Sequence, residues 1–327
     1  MFSIFLRVRS IFFYGFKLAE APVSYRISLF EHEFTRLESY YRAPLEKYRK
    51  CDYALHDVMS CTASLLASVY LEQKAEGIEY NHDSINKVRQ MYTQSIESDI
   101  IGNYMRYASF LFCNGEYDEA CKYFDLIEKQ IEKDKKSNLI YQFFVSPSES
   151  LALQIANQSC EQSFKQRWSA FLIFSQEETM CVPEFLRCEK YRGRFGADTS
   201  SGFLSPLYSN YDCICFRIEP YLYYLQYLTY RELRQKHKQS EALMKLLIFT
   251  EIIKSTGFIS SKSDDSAACG FFDTSLNMLG HCFELEQKLE SAWKTYKTSL
   301  QLQPKRNASA LHIIRLLWQV VQSLRTF

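Results

Sequence analysis

The chain has 327 residues, 47% of them apolar, with 39 Lys and Arg against 38 Asp and Glu. The apolar share can fill a sizeable core, which excludes disorder of the whole chain. The near balance of charge gives no broad basic field for a phosphate backbone, so we expect no nucleic-acid partner. Only 10 Gly and 7 Pro occur, which favours long helices with short connections over many hairpins of strands.

The N-terminal residues 1–22, MFSIFLRVRSIFFYGFKLAEAP, are apolar but are interrupted by Arg7, Arg9 and Lys17. The sequence has no run of about 18 apolar residues, so we expect no membrane span. An amphipathic helix that packs on the protein is expected here, with membrane association of this segment as the alternative. Shortly afterwards, Glu31 and Glu33 resemble paired carboxylates that hold magnesium. Two such residues diverge on a helix, and no Gly-Ser phosphate loop precedes them, so a solvated helix face is expected.

Eleven cysteines occur at irregular separations, without a CxxC pair or a Cys/His set at zinc spacing. We therefore expect no metal site. An odd number would leave one thiol over in a secreted disulfide framework, so we expect reduced, mostly buried thiols in a cytoplasmic protein.

Residues 101–133 predict an antiparallel helix pair that is split by a turn at Asn114 and Gly115. Residues 193–212 concentrate Gly, Ser, Asn and Pro, which is typical of a loop or linker. The expected organisation is an N-terminal helical region (1–192) with one degenerate repeat, this linker, and a C-terminal helical region (213–327).

Two further motifs lie near the linker. The GRFG sequence at Gly193–Gly196 could clamp a nucleic-acid backbone as a GxxG loop, but it lacks surrounding strand signals and is expected to be a plain loop. The aromatic run Tyr221–Tyr230 predicts core packing between helices, with an aromatic peptide groove around Tyr223 and Tyr227 as the alternative.

The strongest pattern lies at residues 273–306. Close contact of two helices needs small residues at their crossing, and Gly280 and Ala292 occupy those positions. The other residues of the pattern fill the space around the crossing or end the second helix: Leu279, Phe283, Tyr296 and Pro304. Spacing and residue size agree together, so the segment resembles a tetratricopeptide repeat.

The same register fits residues 101–133, where Ala108 and Ala120 take the small positions, Gly115 the turn and Phe124 the large position, but without the closing Pro. A helix from Asn307 would cap the array. The resemblance implies an all-α fold: antiparallel helix pairs in a tetratricopeptide-like, right-handed α-solenoid.

His281 and Cys282 invite comparison with a catalytic dyad. Adjacent side chains diverge by about 100° on a helix, whereas a base must reach its nucleophile, so repeat packing is favoured over catalysis. In the repeat register the first helix faces a concave groove, and the positions on that face are polar: Thr274, Asn277, His281 and Glu284. They suit an extended peptide bound by hydrogen bonds. Solvation of the face is the alternative.

Three stretches also resemble the helical C-terminal part of invertebrate cyclic GMP-AMP synthase-like receptors of the Mab type: Cys181–Arg192, Tyr221–Gln239 and Pro304–His312. Members of that family that make cyclic dinucleotides carry a Gly-Ser loop and an acidic triad, and neither is recognisable here. We therefore expect a non-catalytic protein interaction scaffold without a cofactor. The alternative is an accessory module of such an innate immune receptor, and the sequence does not name the partner or the oligomeric state.

Overall fold

The computed structural model describes residues 82–146, 148–174, 176–194, 214–255, 271–305 and 307–325, together with Ala63, Ser64 and Ala67. Most of these residues are helical, and a single two-stranded sheet is the β-structure that they contain. The prediction of a mainly helical protein is therefore confirmed. The N-terminal helix, the Glu31 and Glu33 pair and most of the 193–212 linker lie outside the described residues.

The described α-helices follow one another in this order: α1 His82–Ser95, α2 Ile101–Cys113, α3 Tyr117–Asp134, α4 Leu139–Val145, α5 Glu149–Ala156, α6 Cys160–Ala170, α7 Ile218–Glu232, α8 Lys236–Ser255, α9 Phe272–Leu285, α10 Leu289–Leu302 and α11 Ser309–Arg325. Two segments of 3-10 helix, Gln176–Cys181 and Glu184–Arg194, lie between α6 and α7. None of the described helices is both long and apolar enough to cross a membrane.

Strands β1 (Phe171–Phe174) and β2 (Ile214–Arg217) pair in antiparallel register, with Phe171 opposite Arg217. They lie on opposite sides of the predicted linker. The main apolar core likewise contains residues from both sides, such as Val88 and Leu279. The two predicted regions therefore share one core.

Helix α7 occupies the centre of this core. Tyr221, Tyr224 and Tyr227 are fully buried, and Leu222 and Leu225 pack with them. Large aromatic side chains at helical steps can contact several neighbouring helices at once. The prediction that the aromatic run is core packing is confirmed.

Three helix hairpins, α2–α3, α7–α8 and α9–α10, have three-residue connections of one geometry. The middle residue of each connection is left-handed: Gly115 (φ 78°), Arg234 (φ 57°) and Gln287 (φ 60°). The amide of the next residue donates to the carbonyl five residues earlier: Glu116 to Leu111 at 2.9 Å, Gln235 to Tyr230 at 2.8 Å and Lys288 to Phe283 at 2.8 Å. Such a bond satisfies a carbonyl that the end of the helix leaves without a partner.

Small residues bring the helices of α9–α10 together. A Cβ atom added at Gly280 would lie 2.4 Å from Cε1 of Tyr296, which is far inside van der Waals contact. Ala292 and Tyr296 are fully buried. The equivalent residues of α2–α3, Ala108, Ala120 and Phe124, are fully buried too. The second helix of the C-terminal pair ends at Leu302, two residues before Pro304.

Candidate functional site

The residues predicted to face a groove do not lie on an open surface. Thr274 and Asn277 are fully buried, Glu284 is 6% exposed and His281 is half-buried. The expectation of an open polar face is therefore wrong for these residues. The physical reason is that the 3-10 segment Glu184–Arg194, which we call the covering segment, lies across this face of α9.

Phe185 is the aromatic anchor of the covering segment. Its ring stacks on the imidazole of His281, with 3.6 Å between centroids and 5° between planes. The imidazole of His312 stacks on it at 4.3 Å, and the guanidinium of Arg315 lies 4.5 Å from the ring centroid. The ring of Phe185 therefore holds the covering segment in two ways. It is removed from water, and its face makes stacking and cation–π contacts with the two imidazoles and the guanidinium.

Glu189 lies four residues further along and is fully buried. Asn277 donates a hydrogen bond to its Oε1 at 2.7 Å, and Nε2 of His312 lies 3.6 Å from the same oxygen. Burial alone would raise the pKa of Glu189, but the hydrogen bond and charge of His312, the charge of Arg192 and the Asn277 bond together lower it. The carboxylate is therefore stabilised as an anion inside the protein.

Arg192 forms the third contact of the covering segment. Its Nη1 donates to Oγ1 of Thr274 at 2.8 Å, and its Nη2 pairs with the carboxylate of Asp273. Both partners are at the start of α9 and are buried. Removing one partner of a buried, hydrogen-bonded ion pair costs free energy, because the other charge is left buried without a partner. This contact therefore fixes the C-terminal end of the covering segment.

Asn277 also connects α9 to the start of α11. Ser309 donates to its Oδ1 at 2.5 Å, and its Nδ2 lies 3.3 Å from Oδ1 of Asn307. Asn307 in turn donates to the carbonyl of Ser299 at 2.9 Å. The polar side chains on this face therefore form hydrogen bonds with one another. They connect elements inside the protein.

His281 and Cys282 have different surroundings in the structure. Nδ1 of His281 lies 2.7 Å from the hydroxyl of Tyr224, and burial, with the charges of Arg315, His312 and Arg231, lowers its pKa to about 2. Burial raises the pKa of Cys282 well above its usual value. A neutral imidazole bound to a tyrosine and a buried protonated thiol suit packing and not a reactive pair.

A different Cys and His do meet, and sequence reasoning missed them. Sγ of Cys188 lies 3.5 Å from Nε2 of His312, which also faces Glu189. A nucleophilic triad uses the two ring nitrogens for different partners, whereas Sγ here lies closer to Nε2, the nitrogen that faces Glu189, than to Nδ1 at 3.9 Å. Burial raises the pKa of Cys188. The two residues are 124 positions apart, so no local spacing could have indicated the contact.

The described residues contain no group of three or more His, Cys, Asp or Glu side chains that could hold a metal ion. Six cysteines of the described residues are thiols: Cys113, Cys121, Cys181, Cys188, Cys215 and Cys282. None of these six is exposed.

Exposed apolar side chains on α11 form the most accessible candidate for a binding surface. Ile314, Leu317, Trp318 and Val321 are 63%, 49%, 60% and 41% exposed, and we call them the α11 stripe. The opposite face of α11 contributes His312 and Leu316, which are buried. A second row, Met244, Ile248 and Ile252 on α8, is 53%, 51% and 49% exposed, and we call it the α8 stripe.

Comparison with known proteins finds no matching family model, no matching curated protein and no matching solved structure.

Proposed function

We propose that this chain is a non-catalytic scaffold that binds a partner protein, and that its helix hairpins form a tetratricopeptide-like solenoid. The observation that carries the proposal is the common geometry of α2–α3, α7–α8 and α9–α10. Successive hairpins with the same turn geometry can stack so that equivalent helix faces lie side by side. In repeat proteins, such stacked faces form extended binding surfaces.

The polar chemistry of the described residues supports a scaffold over an enzyme. Glu189, His281, Glu284 and His312 are held by neighbours within the protein and are not aimed into an open cleft. An enzyme site places such groups where a substrate can reach them. The surface left for a partner is the outside of the hairpins and not the covered face of α9.

The proposal is tested with the full chain, purified and immobilised, in lysate of the cells that express it. Retained proteins are identified, produced separately and titrated against the chain by calorimetry. We expect at least one of them to form a stoichiometric complex, and heat-unfolded chain serves as the control for adhesion to exposed apolar surface. The proposal fails if no retained protein re-forms a complex with the purified chain.

A further inference from the structure

We infer that Arg217 is the anion-binding residue of a site for a small carboxylate ligand, which lies between α4, α8 and the start of α7. The inference goes beyond the proposed scaffold function and does not depend on it.

Arg217 is a buried charge without a partner. It is the last residue of β2 and is 2% exposed. Its Nη2 is buried without a hydrogen-bond partner, and its guanidinium forms no ion pair with the described residues. Burial lowers its pKa to about 9, so the side chain keeps its charge at neutral pH. A buried ion without a partner costs free energy, and buried ions in proteins are therefore normally paired.

Three aromatic rings lie close to this guanidinium, and we call them the Arg217 cage. Its Cζ lies 5.4 Å from the ring centroid of Tyr141, 5.7 Å from that of Phe144 and 5.0 Å from that of Phe249. Tyr141 and Phe144 belong to α4, and Phe249 belongs to α8. Aromatic rings attract a cation, but they do not replace the oxygen acceptors that the in-plane N–H groups of a guanidinium bind. The hydrogen bonds of Nη2 are therefore left for an acceptor that the described residues do not supply.

Arg106 shows which chemistry completes such an environment in this protein. It is buried too, and its Cζ lies 5.4 Å from the ring centroid of Trp168 and 4.7 Å from that of Phe174. Its Nη1 is in addition paired with the buried carboxylate of Glu178. The two arginines thus share burial and aromatic contacts, and a carboxylate is the part that Arg217 lacks.

The start of α7 favours an anion at the same position. Arg217 is the N-cap residue of α7 and makes no side-chain capping bond. The N-terminal end of a helix attracts anions and disfavours a cation. Glu219 does not neutralise Arg217, because it is paired with Lys135 at 2.7 Å and accepts a hydrogen bond from Tyr223 at 2.8 Å.

The charge and shape of the site select the ligand. One buried positive charge is neutralised by one negative charge, whereas a phosphate dianion would leave a negative charge buried. The two oxygens of a carboxylate also match the fork of a guanidinium. Tyr141 and Phe144 are half-buried, so an apolar body attached to the carboxylate can contact their exposed parts. Because Nη2 is closed to water, one ring of the Arg217 cage must turn aside as the anion enters. The expected ligand is a small monocarboxylic acid with an apolar body.

The test titrates the purified full chain with phenylacetate by isothermal calorimetry. Phenylacetamide has nearly the same shape without the charge, and phenyl phosphate has the same ring with a dianion. We expect saturable binding of one phenylacetate per chain, with both analogues weaker by about tenfold or more. Octanoate is titrated in parallel as a carboxylate with a flexible apolar body.

Variants locate the site. Arg217→Met should abolish saturable binding of phenylacetate, and Arg217→Lys, which keeps the charge but loses the fork, should weaken it by about tenfold. Phe144→Leu should weaken it as well, because the ring of phenylacetate loses an aromatic contact. Arg167→Met changes an exposed arginine in the same way and should leave the affinity unchanged.

Melting temperature gives a second readout that includes a check on folding. Phenylacetate should raise the melting temperature of the unaltered chain and of Arg167→Met, because a ligand stabilises the state that binds it. It should not raise that of Arg217→Met. Circular dichroism identifies a variant that does not fold, and if Arg217→Met is one, Arg217→Lys and Phe144→Leu decide the result.

Four results would each overturn the inference. Equal affinity for phenylacetate and phenylacetamide would show that the charge is not recognised, and tighter binding of phenyl phosphate would assign a dianion site. An equal loss of affinity in Arg167→Met would place the contact on the surface. If neither phenylacetate nor octanoate binds saturably, the aromatic rings alone hold Arg217. Each of these results leaves the scaffold proposal unchanged, because capture of a partner protein tests it separately.

Discussion

The ring of Phe185 lies parallel to the imidazole of His281, with 3.6 Å between the ring centroids. The stack joins the covering segment to the helix face that the repeat pattern predicts as a groove. It covers one face of the imidazole of His281, and the hydroxyl of Tyr224 lies 2.7 Å from its Nδ1. The protonation state of His281 therefore reports whether the covering segment lies on this face of α9.

Acid should destabilise the fold through His281. Its pKa is lowered to about 2 in the folded chain and is about 6.5 when unfolded, so its stabilising contribution is present above pH 6.5 and is lost as the pH falls below it. Linkage gives a loss of about 2 kcal/mol between pH 7 and pH 5. Glu189 does not act in this window, because its lowered pKa changes stability below 4.5.

Urea unfolding at pH 7, 6 and 5 measures this effect. His281→Gln, which can still bond Tyr224, should remove most of the pH dependence. His237→Gln changes an exposed histidine and should keep it. A His281→Gln chain with the full pH dependence would show that another group is responsible.

Removing the side chain of Asn277 should destabilise the protein. Glu189, Ser309 and Asn307 all contact its amide, and Asn277→Ala leaves buried polar groups without partners. The expected loss is about 1 to 3 kcal/mol in the free energy of unfolding, measured by urea titration. Gln301→Ala, at an exposed position of α10, is the comparison. If Asn277→Ala were as stable as Gln301→Ala, the covering segment would not be held by this amide.

Gly280→Ala should also destabilise, although alanine favours a helix over glycine by about 1 kcal/mol. The added Cβ would meet the ring of Tyr296 at 2.4 Å, and overpacking of this kind costs about 1 to 3 kcal/mol. Thermal unfolding decides between the two effects. A rise in melting temperature would mean that propensity wins and that the helices can separate without cost.

Alanine at Gly115 provides the contrast. Its added Cβ would have no neighbour within 4 Å, but φ is 78°, so the cost there is conformational strain of about 1 kcal/mol. Tyr296→Leu in the Gly280→Ala background should recover part of the lost free energy of unfolding. The same replacement in Gly115→Ala should recover none.

The α9–α10 hairpin could be predicted because its determinants are local. Gly280, Ala292 and Tyr296 lie within 17 residues of one another, and the size of each side chain shows where two helices can approach. The α7–α8 hairpin has the same turn but could not be recognised. Tyr227 and Gln239 occupy its small positions, and each donates a hydrogen bond to Glu286 at 2.8 Å. Polar contact with the next hairpin replaces close packing there.

The covering segment could not be predicted, because its contacts join distant parts of the chain. Glu189 and Asn277 are 88 residues apart, and Arg192 and Thr274 are 82 apart. Periodicity shows that the face of α9 is polar, but polarity is compatible with water, with a peptide from another protein and with a segment of the same chain. The long-range pairing decides which of these is present.

Catalysis is tested directly. Purified chain incubated with magnesium, manganese and nucleoside triphosphates should give no cyclic or linear nucleotide product, since the sequence has no recognisable phosphate-binding loop. Chromatography with mass detection is the measurement. Product that is lost in Glu31→Gln or Glu33→Gln, but kept in Glu116→Gln, would contradict the scaffold proposal.

The pairing of β1 with β2 joins parts of the chain that lie before and after residues 195–213. Four residue pairs join the strands, and on the way between them Arg192 is bonded to Asp273 and Phe185 is stacked on His281. A single cut of the peptide backbone between Arg194 and Ile214 would therefore produce two fragments that stay associated. Expressed separately, the two pieces should reconstitute the native helical signal on mixing, as a split protein does.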